Sequence, residues 1–579
     1  MLSLIEELLS GVALRWKGRM TDWCDLESGF NDSNYLLTVP GGCVSALRIE
    51  GLTRLYDNAE IPEVFRQLWP ALASTSALHD VELVTIRDPE RGQQVVKHND
   101  RRLALRATQA GIAELERLTD DWHAGPWLDE AVYAAVWTHP RVLTRTEQRR
   151  DDQRYRARLR AGGDFRHTQH PFRAYEQLIH SHQAALATFA TQLQHAHLSV
   201  TPLTGAALLR VLKHQINPHQ AHGSGWQPQL IGDPIGGAAD FPGPAALLWL
   251  PLRDQLFDLD GDRFNRTLAK VGDRYYASVQ MTLLPRRNDR FSALRIDSDV
   301  PWRIRFLISR WSLATKLLYT LNQFLAGVMN WPTHERNNLI KRATHELQPL
   351  IEADETRVMR VVATTWGDSE QAIRLRFEKL ISGLQHWGLA TVKPIQDDPI
   401  EGVMSSLPGL RAGSAWAPLI APKHYVTILP VDTPASVFSS GLLLRTPQGR
   451  PWFYEPLSDR QASWVTLYTG LPGQGKSVMM AAENLTLLCQ PGELPYFSHI
   501  ELYPSARGLF RLLRALAEPA VKPLLLYRRL RASNDDAINP FSTFLGCNEP
   551  LPYHREGLIL ILLCLSYSFD ATAPEKNTT

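Results

Sequence analysis

Apolar residues near the start of the chain fall into short β-rich runs that are separated by turn residues. Two of these runs flank Pro40-Gly41-Gly42, which is typical of a hairpin. A helical stretch near 61–72 and a further strand at 81–86 come next. Because strands and a helix alternate within one short stretch, the pattern predicts an N-terminal α+β module over residues 1–140.

The middle of the chain is predicted to change from helices to a mixed sheet. Residues 141–300 are mainly helical in pattern and rich in His and Arg, with a Gly- and Pro-rich seam at 223–251. From Trp302 onward, strands and helices alternate. This alternation predicts a split βαβ, ferredoxin-like module over residues 301–420. Its predicted strands are 302–308, 358–364 and 390–392, and its predicted helices are 311–352 and 369–387.

The last part of the chain, residues 421–579, begins with a predicted strand at 426–429 and a hairpin about Pro447-Gln448-Gly449. An apolar, strand-like run at 464–469 then breaks into glycines, and a helical pattern follows at 478–485. The order of strand, glycine-rich loop and helix is the context in which phosphate-binding loops occur.

The loop itself matches the pattern G-x-x-x-x-G-K-[ST] through Gly470, Gly475, Lys476 and Ser477. Phosphate groups need backbone N–H donors and a helix N-terminus close to them, and glycines keep side chains away from that approach. The lysine then supplies a charge for the β- and γ-phosphates, and the serine hydroxyl completes a Mg²⁺ shell. The motif therefore predicts a site for ATP and Mg²⁺, with Ser477 as a metal ligand. A plain strand-to-helix turn explains the glycines but not the Lys-Ser pair that follows them.

Length and charge bound the remaining possibilities. With 579 residues the chain is long enough for three or four domains, and its 62 basic and 60 acidic residues nearly cancel. This balance gives no support to a nucleic-acid coat or a polybasic membrane anchor. The five cysteines are scattered without a C-x-x-C pair, so neither a disulfide framework nor a zinc site is indicated. A cytosolic protein is expected.

No stretch of the sequence predicts a membrane-spanning helix. The longest apolar runs, 245–252 and 558–565, fall well short of the roughly 20 residues that a bilayer requires. Residues 1–9 lack a basic region and contain two glutamates, which favours a short amphipathic helix over a signal peptide. Any membrane association is therefore expected to be peripheral.

Two groups of candidate binding residues have alternative interpretations. Eight arginines between 141 and 160 could contact phosphates or anionic lipid, but interspersed acids and the lack of aromatic residues favour a solvated helix face. Nine histidines could bind a metal, but their spacing in a Gln- and Ala-rich helical background favours ordinary surface or core positions. These histidines are His167, His170, His180, His182, His195, His197, His214, His219 and His222.

The residues on both sides of the loop resemble one family. Upstream lie Leu429-Pro430-Val431-Asp432-Thr433-Pro434, a Leu-Arg-Thr-Pro-Gln-Gly run within 441–449, and Pro451-Trp452-Phe453-Tyr454-Glu455-Pro456. Downstream lie Pro504-Ser505-Ala506-Arg507-Gly508-Leu509 and Ala537-Ile538-Asn539-Pro540-Phe541. Together they resemble the IcmB/DotO/TraU branch of the VirB-type ATPases of type IV secretion and conjugation. The resemblance is dense over residues 425–567 and looser upstream.

This resemblance implies an α/β and α+β multidomain protein, in which an incomplete RecA-like P-loop NTPase domain at 421–579 follows the ferredoxin-like elements. It also implies an ATPase that is peripheral to the cytoplasmic side of a bacterial inner membrane and forms a homo-hexamer in its full-length form. Such a motor works with the other subunits of a secretion or conjugation complex, and energises channel assembly or substrate translocation. By motif position, the phosphate and Mg²⁺ contacts carry over to Gly470, Gly473, Gln474, Gly475, Lys476, Ser477 and Val478.

Two departures from the family pattern limit this interpretation. Tyr503 stands where the family has a glycine, although the acidic position before it is kept as Glu501. The sequence also reaches residue 579 before any apolar run that is followed by Asp-Glu, the pattern of the second metal-binding strand. We therefore expect a truncated relative that binds ATP but hydrolyses it poorly, and we assign no catalytic residue.

Two functions from different classes are thus predicted. The first is a motor subunit of a secretion or conjugative transfer system with impaired hydrolysis. The alternative is a structural docking subunit, in which the region before about residue 420 binds a partner of the complex and the loop is an inert remnant. A DNA-pumping coupling protein is less favoured, because no transmembrane helix and no basic aromatic groove are found. The sequence leaves open whether DNA or protein is transported and whether nucleic acid is bound directly.

Overall fold

The computed structural model shows a mixed α/β protein that is dominated by one large antiparallel sheet. In the described part of the chain, no helix is both long and apolar enough to cross a bilayer. The structure describes residues 19–39, 41–54, 56–57, 59–112, 115, 127–162, 168–170, 176–217, 225–233, 249–286, 289–311, 319–320, 345–396, 398–411, 419–434, 436, 438–446, 449–461, 463–501, 507–529, 539, 541–543 and 546–566.

Thirteen of the described strands belong to the large sheet, and two more form a separate hairpin. The strands are β1 Leu26–Gly29, β2 Leu36–Thr38, β3 Gly42–Leu52, β4 Asp80–Asp88, β5 Asp129–Thr138, β6 Leu198–Pro202, β7 Gly261–Arg263, β8 Leu268–Val271, β9 Arg274–Leu283, β10 Trp302–Ser309, β11 Thr356–Gly367, β12 Thr391–Pro394, β13 Leu419–Pro422, β14 Leu442–Arg445 and β15 Pro451–Tyr454.

Several helices begin at residues whose side chains cap the first turn. The carboxylate of Asp88 accepts the N–H of Glu90 at 3.0 Å, and Ser369 Oγ accepts the N–H of Ala372 at 3.2 Å. The described α-helices are α1 Ile61–Thr75, α2 Pro89–Gln109, α3 Arg145–Gly162, α4 Glu176–His195, α5 Gly205–Ile216, α6 Leu252–Leu256, α7 Glu370–His386, α8 Pro399–Ser405, α9 Lys476–Cys489, α10 Arg507–Leu516 and α11 Pro552–Ser566.

Four strands in the first part of the sheet lie in the order β6-β3-β5-β4, and each pairs antiparallel with its neighbour. As a result β3 and β4 run parallel to each other, are joined through α1, and have β5 inserted between them. Helix α4 then leads into β6 at the other side of β3. This is the split βαβ arrangement.

A second group of four strands repeats this order as β12-β9-β11-β10, again with antiparallel neighbours. Here β9 and β10 are parallel, β11 lies between them, and α7 leads into β12. The split βαβ arrangement therefore begins at Arg274 and not within the predicted range 301–420. The prediction that residues 141–300 are mainly helical is wrong for its second half, which contains β7, β8 and β9.

The two groups join through their edge strands β4 and β10. Seven residues of β10 pair antiparallel with β4, from Trp302 opposite Arg87 to Ile308 opposite Val81. The join makes one continuous sheet from strands of residues 1–140, 141–300 and 301–420, which were predicted to be separate modules.

Both faces of the joined sheet are covered by helices. Leu83 of β4 packs into a core with Leu68 of α1 and Phe189 of α4, whereas its neighbour Val84 packs into a core with Leu212 of α5. Successive residues of a strand point to opposite faces, so alternate apolar residues of β4 enter different cores. Each large side chain that is fully buried in this way contributes about 1.5–3 kcal/mol to stability.

Buried polar contacts fix α8 against the sheet. Arg303 is fully buried and donates hydrogen bonds to Ser406 Oγ at 2.7 Å and to the carbonyl oxygen of Val403 at 3.0 Å. Arg305 donates to the carbonyl oxygen of Ser405 at 2.8 Å. Burial lowers the pKa of Arg303 to about 10, so this guanidinium remains charged at neutral pH.

Contacts within the chain divide it into two compact units, residues 1–498 and residues 499–579. The predicted range 421–579 therefore does not form one unit, because its first part belongs with the sheet. The strand predicted at 426–429 is also wrong, since Lys423–Ile428 is a 3-10 helix. Helices α10 and α11 belong to the second unit.

Candidate phosphate-binding loop

The predicted phosphate-binding loop lies at the N-terminus of α9. Gly473 and Gly475 have φ angles of 82° and 84°, in the left-handed region that residues with a β-carbon rarely adopt. A β-carbon built on either glycine would meet no atom within 4 Å, so the space beside the loop is open. Gly475 is the N-cap of the 14-residue helix α9. The first N–H groups of a helix have no intrahelical acceptor, and here they adjoin open space that an anion could occupy.

Lys476 folds back over the loop and closes it. Its Nζ donates to the carbonyl oxygen of Gly470 at 2.6 Å and to that of Leu471 at 3.0 Å. The N–H of Leu471 donates to Gln474 Oε1 at 3.1 Å. The structure therefore brings three of the predicted contact residues, Gly470, Gln474 and Lys476, into one hydrogen-bonded loop.

The two remaining predicted contacts, Ser477 and Val478, lie in the first turn of α9 and are exposed, with 74 % of Val478 accessible. Within the residues that the structure describes, no group of three or more His, Cys, Asp or Glu side chains could hold a metal ion. Among the described residues, Ser477 therefore has no carboxylate cluster beside it that would complete a Mg²⁺ site.

The strand predicted at 464–469 is not formed, and that prediction is wrong. A strand needs a neighbouring chain for its N–H and C=O groups, and no described strand pairs with this run. Val465 and Leu467 are each 85 % exposed as a result. Thr466 ties the run to α9, because its Oγ1 donates to Glu483 Oε1 at 3.3 Å. Burial raises the pKa of this glutamate.

Helix α9 is fixed to the first unit at its C-terminal end. Leu485, Leu488 and Cys489 are buried, and Arg106 of α2 donates from Nη1 to the carbonyl oxygen of Gln490 at 2.7 Å. Burial raises the pKa of Cys489 to about 12, so its thiol stays protonated and is a packing residue. The loop is thus held by the far end of its helix and not by a sheet beneath it.

The hairpin β14–β15, which precedes the loop, is also attached to α2. Asn99 donates from Nδ2 to the carbonyl oxygen of Gly441 at 3.3 Å and accepts the N–H of the same glycine at 3.1 Å. At the other end of the hairpin, the N–H of Leu128 donates to the carbonyl oxygen of Gly449 at 3.0 Å. Gly441 has a φ angle of 125°, and a β-carbon there would lie 2.5 Å from the carbonyl oxygen of Tyr454.

The described members of the arginine and histidine groups lie on an exposed helix face and at surface or core positions, respectively, as the sequence favoured. Arg145, Arg149 and Arg154 are exposed on α3, as expected of a solvated helix face. The described histidines divide into buried residues, His170, His182 and His214, and exposed residues, His180, His195 and His197. His167, His219 and His222 lie outside the described residues.

A basic cluster in the unit 499–579 was not found from the sequence. The side chains that line its cavity of about 460 Å³ are Arg507, Phe510, Arg511, Arg514, Ala515, Lys522 and Tyr527. The ring centroids of Phe510 and Tyr527 lie 5.3 Å apart. None of these lining residues is acidic, so the cavity is electropositive and suits a polyanion. The signal in the sequence was the arginine spacing of four and three residues, which places one charge per turn on a single helix face.

No protein-family model matches the chain, and no curated protein matches it either. Tyr503, the position of the departure from the resembled pattern, lies outside the described residues. The geometry around Gly470 to Val478 is therefore the basis on which a function can be proposed.

Proposed function

We propose that the chain is an ATP-binding subunit and that the loop from Gly470 to Ser477 is its nucleotide site. The observation that carries this proposal is the combination of left-handed glycines with a lysine at the start of a 14-residue helix. A turn that only reverses the chain does not need a lysine whose Nζ lies over the loop carbonyls. The same geometry suits a phosphate group, which prefers a helix N-terminus and a nearby cation.

In this proposal the loop rearranges little when nucleotide binds. Lys476 exchanges its contacts with Gly470 and Leu471 for oxygens of the β- and γ-phosphates, and so keeps its charge compensated. The Ser477 hydroxyl would hold Mg²⁺, and water and phosphate oxygens would complete the metal shell. Bound Mg²⁺ would neutralise part of the triphosphate charge.

The flanks of the loop supply the wider role. Their resemblance to the IcmB/DotO/TraU branch supports a subunit of a type IV secretion or conjugative transfer system, with a RecA-like domain around the loop. On this proposal the protein is peripheral to the cytoplasmic side of a bacterial inner membrane, assembles as a homo-hexamer in its full-length form, and contacts other subunits of the complex. It would energise channel assembly or substrate translocation.

We expect this chain to hydrolyse ATP slowly. Rate acceleration in phosphoryl transfer depends on holding the phosphates and the attacking water in a fixed position. Here Val465 and Leu467 are solvent-exposed where a strand would otherwise support the loop, and no metal-binding cluster lies among the described residues. We therefore expect the loop to bind ATP but to position the reacting groups poorly.

The alternative is a structural docking subunit with an inert loop. The observation in its favour is that Lys476 already has two short hydrogen bonds within its own loop, so the loop is stable without a ligand. The continuous sheet of the first unit would then be the working part of the protein.

Lys476→Ala tests the proposal, with Lys393→Ala as a matched control because Lys393 is an exposed lysine on β12. Calorimetric titration with Mg²⁺-ATP should show affinity for the wild type and the control. The Lys476→Ala chain should bind at least about tenfold more weakly, since about 1.4 kcal/mol is lost with one phosphate contact. Equal ATP affinity in the Lys476→Ala chain would refute the nucleotide site.

A transfer or secretion assay in cells separates the two functions. Loss of transfer with Lys476→Ala, but not with Lys393→Ala, supports the motor subunit. Unchanged transfer with Lys476→Ala supports the docking subunit, provided that both chains accumulate to the same level.

A further inference from the structure

A second cavity, of about 480 Å³, lies between the large sheet and the hairpin β14–β15. It is formed where the two split βαβ groups join, at the paired residues Arg87 of β4 and Trp302 of β10. Sites for small organic ligands usually have volumes of about 300–1,000 Å³ and combine apolar walls with a few polar groups. This cavity has both properties, and its position in the fold sets it apart from the loop at Gly470 to Ser477.

Two residues of the cavity wall carry buried polar atoms without a hydrogen-bond partner among the described residues. Asp432 is 7 % exposed, and while its Oδ2 accepts the N–H of Ser292 at 3.2 Å, its Oδ1 has no partner. Trp302 is 2 % exposed, and its Nε1 has no acceptor. A buried polar atom that stays unsatisfied is unfavourable for the folded state. A ligand that offers one donor and one acceptor would satisfy this pair.

The charges around the cavity favour an anion. Three guanidinium groups line it, those of Arg87, Arg445 and Arg450, against the two carboxyl groups of Glu130 and Asp432. Arg450 Nη1 lies 3.8 Å from Glu130 Oε1, so that carboxylate is compensated within the wall. Burial raises the pKa of Asp432. The planar fork of a guanidinium suits phosphate oxygens in particular.

The apolar part of the wall favours a flat ring. Aromatic rings come from Phe291, Trp302 and Trp452. The ring centroids of Phe291 and Trp302 lie 6.2 Å apart in an edge-to-face arrangement. Aromatic rings pack well against such walls in stacked or edge-on positions. A nucleobase is a flat ring that carries both N–H donors and acceptors, the two kinds of partner that Asp432 Oδ1 and Trp302 Nε1 lack.

We propose that this cavity binds a nucleoside monophosphate, with the base at Asp432 and Trp302 and the phosphate at Arg445 and Arg450. The site is independent of ATP binding at the loop, because it is built from other residues of the first compact unit. It lies against the hairpin that precedes the loop in the sequence.

The test uses the full chain with Lys476→Ala, so that binding at the loop does not contribute to the signal. Calorimetric titration with GMP, AMP and UMP should show binding of at least one of them in the micromolar range. Asp432→Asn replaces the acceptor oxygen by an amide donor, and Arg445→Gln removes a charge from the rim. Each should weaken that binding by at least about tenfold, as expected for one hydrogen-bonded or ionic contact.

Two further variants guard against misinterpretation. Trp302→Phe keeps an aromatic ring at this position but removes Nε1–H, so it should weaken binding. Arg374→Gln removes an exposed arginine of α7 that does not line the cavity, and should bind like the parent. Circular dichroism spectra that match the parent establish that each variant is folded.

The proposal is overturned if none of the three mononucleotides binds, or if Asp432→Asn and Arg445→Gln bind them as tightly as the parent does. It is also overturned if inorganic phosphate alone displaces the nucleotide at equal concentration, because the base would then contribute nothing. ATP titration of the wild-type chain reports on the loop separately, so failure of one site leaves the other interpretable.

Discussion

Glu82 and Arg305 form an ion pair between the two central strands β4 and β10, and both side chains are almost fully buried. Glu82 Oε1 also accepts the N–H of Gly409. Removing one member of such a pair leaves an uncompensated charge away from water, which costs about 3–5 kcal/mol. We therefore predict that Glu82→Ala lowers the free energy of unfolding by about that amount. Glu60→Ala, which removes an exposed partner of Arg54, should change it little.

Urea unfolding followed by tryptophan fluorescence measures both variants. Similar unfolding midpoints for Glu82→Ala and Glu60→Ala would mean that the join between the two halves of the sheet does not depend on this pair.

His182 illustrates how a suggestive pair of residues can be structural. Its Nε2 lies 2.7 Å from Ser45 Oγ and its Nδ1 lies 2.7 Å from Thr138 Oγ1, but Ser45 and His182 are 1 % and 0 % exposed. No substrate can reach that serine. Burial is the larger cause that lowers the pKa of His182 from 6.5 to about 3, and the nearby His79 lowers it as well.

This pKa shift predicts a loss of stability in acid. The unfolded chain protonates His182 near pH 6.5 whereas the folded chain does so only near pH 3, so the free energy of unfolding falls as the pH decreases from 6.5 to 3. One proton corresponds to a slope of about 1.4 kcal/mol per pH unit. In His182→Gln that slope should be smaller by up to this amount, whereas in exposed His180→Gln it should match the wild type. Urea unfolding across this pH range measures the slope, and identical slopes in all three chains would rule out His182 as the source.

Among single residues, those of the loop could be predicted because the motif is contiguous in the sequence. Lys476 follows Gly475 directly, and the requirement for glycine arises from a local φ angle. Asp432 and Trp302 could not be predicted to line one cavity, because they are far apart in the chain, with Trp302 on β10 and Asp432 beyond the 3-10 helix Lys423–Ile428. No local pattern carries that information.

At the level of elements, Asn99 is a buried polar attachment of the hairpin β14–β15 to α2. It makes two hydrogen bonds with the backbone of Gly441, and the polar groups are buried. We predict that Asn99→Leu destabilises the hairpin by about 1–3 kcal/mol, since the N–H and C=O of Gly441 lose their partner. Hydrogen exchange should accelerate in residues 442–454 and stay unchanged in β5. Unchanged exchange in the hairpin would show that Leu128 and packing are sufficient to hold it.

The elements that the sequence predicted correctly are those with a strong local pattern. Strands near 43–49, 81–86 and 302–308 are all present, because their apolar residues are buried in the sheet. β9 was missed although Arg274–Leu283 alternates in the manner of a strand, because the surrounding region was assigned to helices. The run at 464–469 was predicted as a strand from its β-branched and aromatic residues, but such propensity has no effect without a chain to pair with.

At the scale of the whole molecule, the two split βαβ groups share one sheet, and no local signal predicts this. The join requires β4 and β10 to pair although five of the described strands, β5 to β9, lie between them in the sequence. Strand order is set by such long-range pairing. Turn residues and hydrophobic periodicity report only on residues that are close together in the sequence. The predicted division into four domains missed the join for this reason.

Exposed apolar side chains are unevenly distributed over the molecule, and this distribution predicts self-association. In the first unit they concentrate after residue 463, where Trp464 is 64 % exposed and Val465 and Leu467 are each 85 % exposed. An extended apolar run without a strand partner is a template for pairing with another chain. We predict that the wild-type chain associates as its concentration rises, and that Leu467→Lys reduces this association because a lysine must be desolvated at any such contact.

Leu375→Lys is the matched control, since Leu375 is 56 % exposed but stands on helix α7, whose backbone hydrogen bonds are satisfied within the helix. Sedimentation velocity over a range of concentrations should show a smaller mean sedimentation coefficient for Leu467→Lys and an unchanged one for Leu375→Lys. If both lysines reduce association equally, the effect comes from added charge in general and not from the unpaired run. If neither does, copies of the chain contact each other through a different surface.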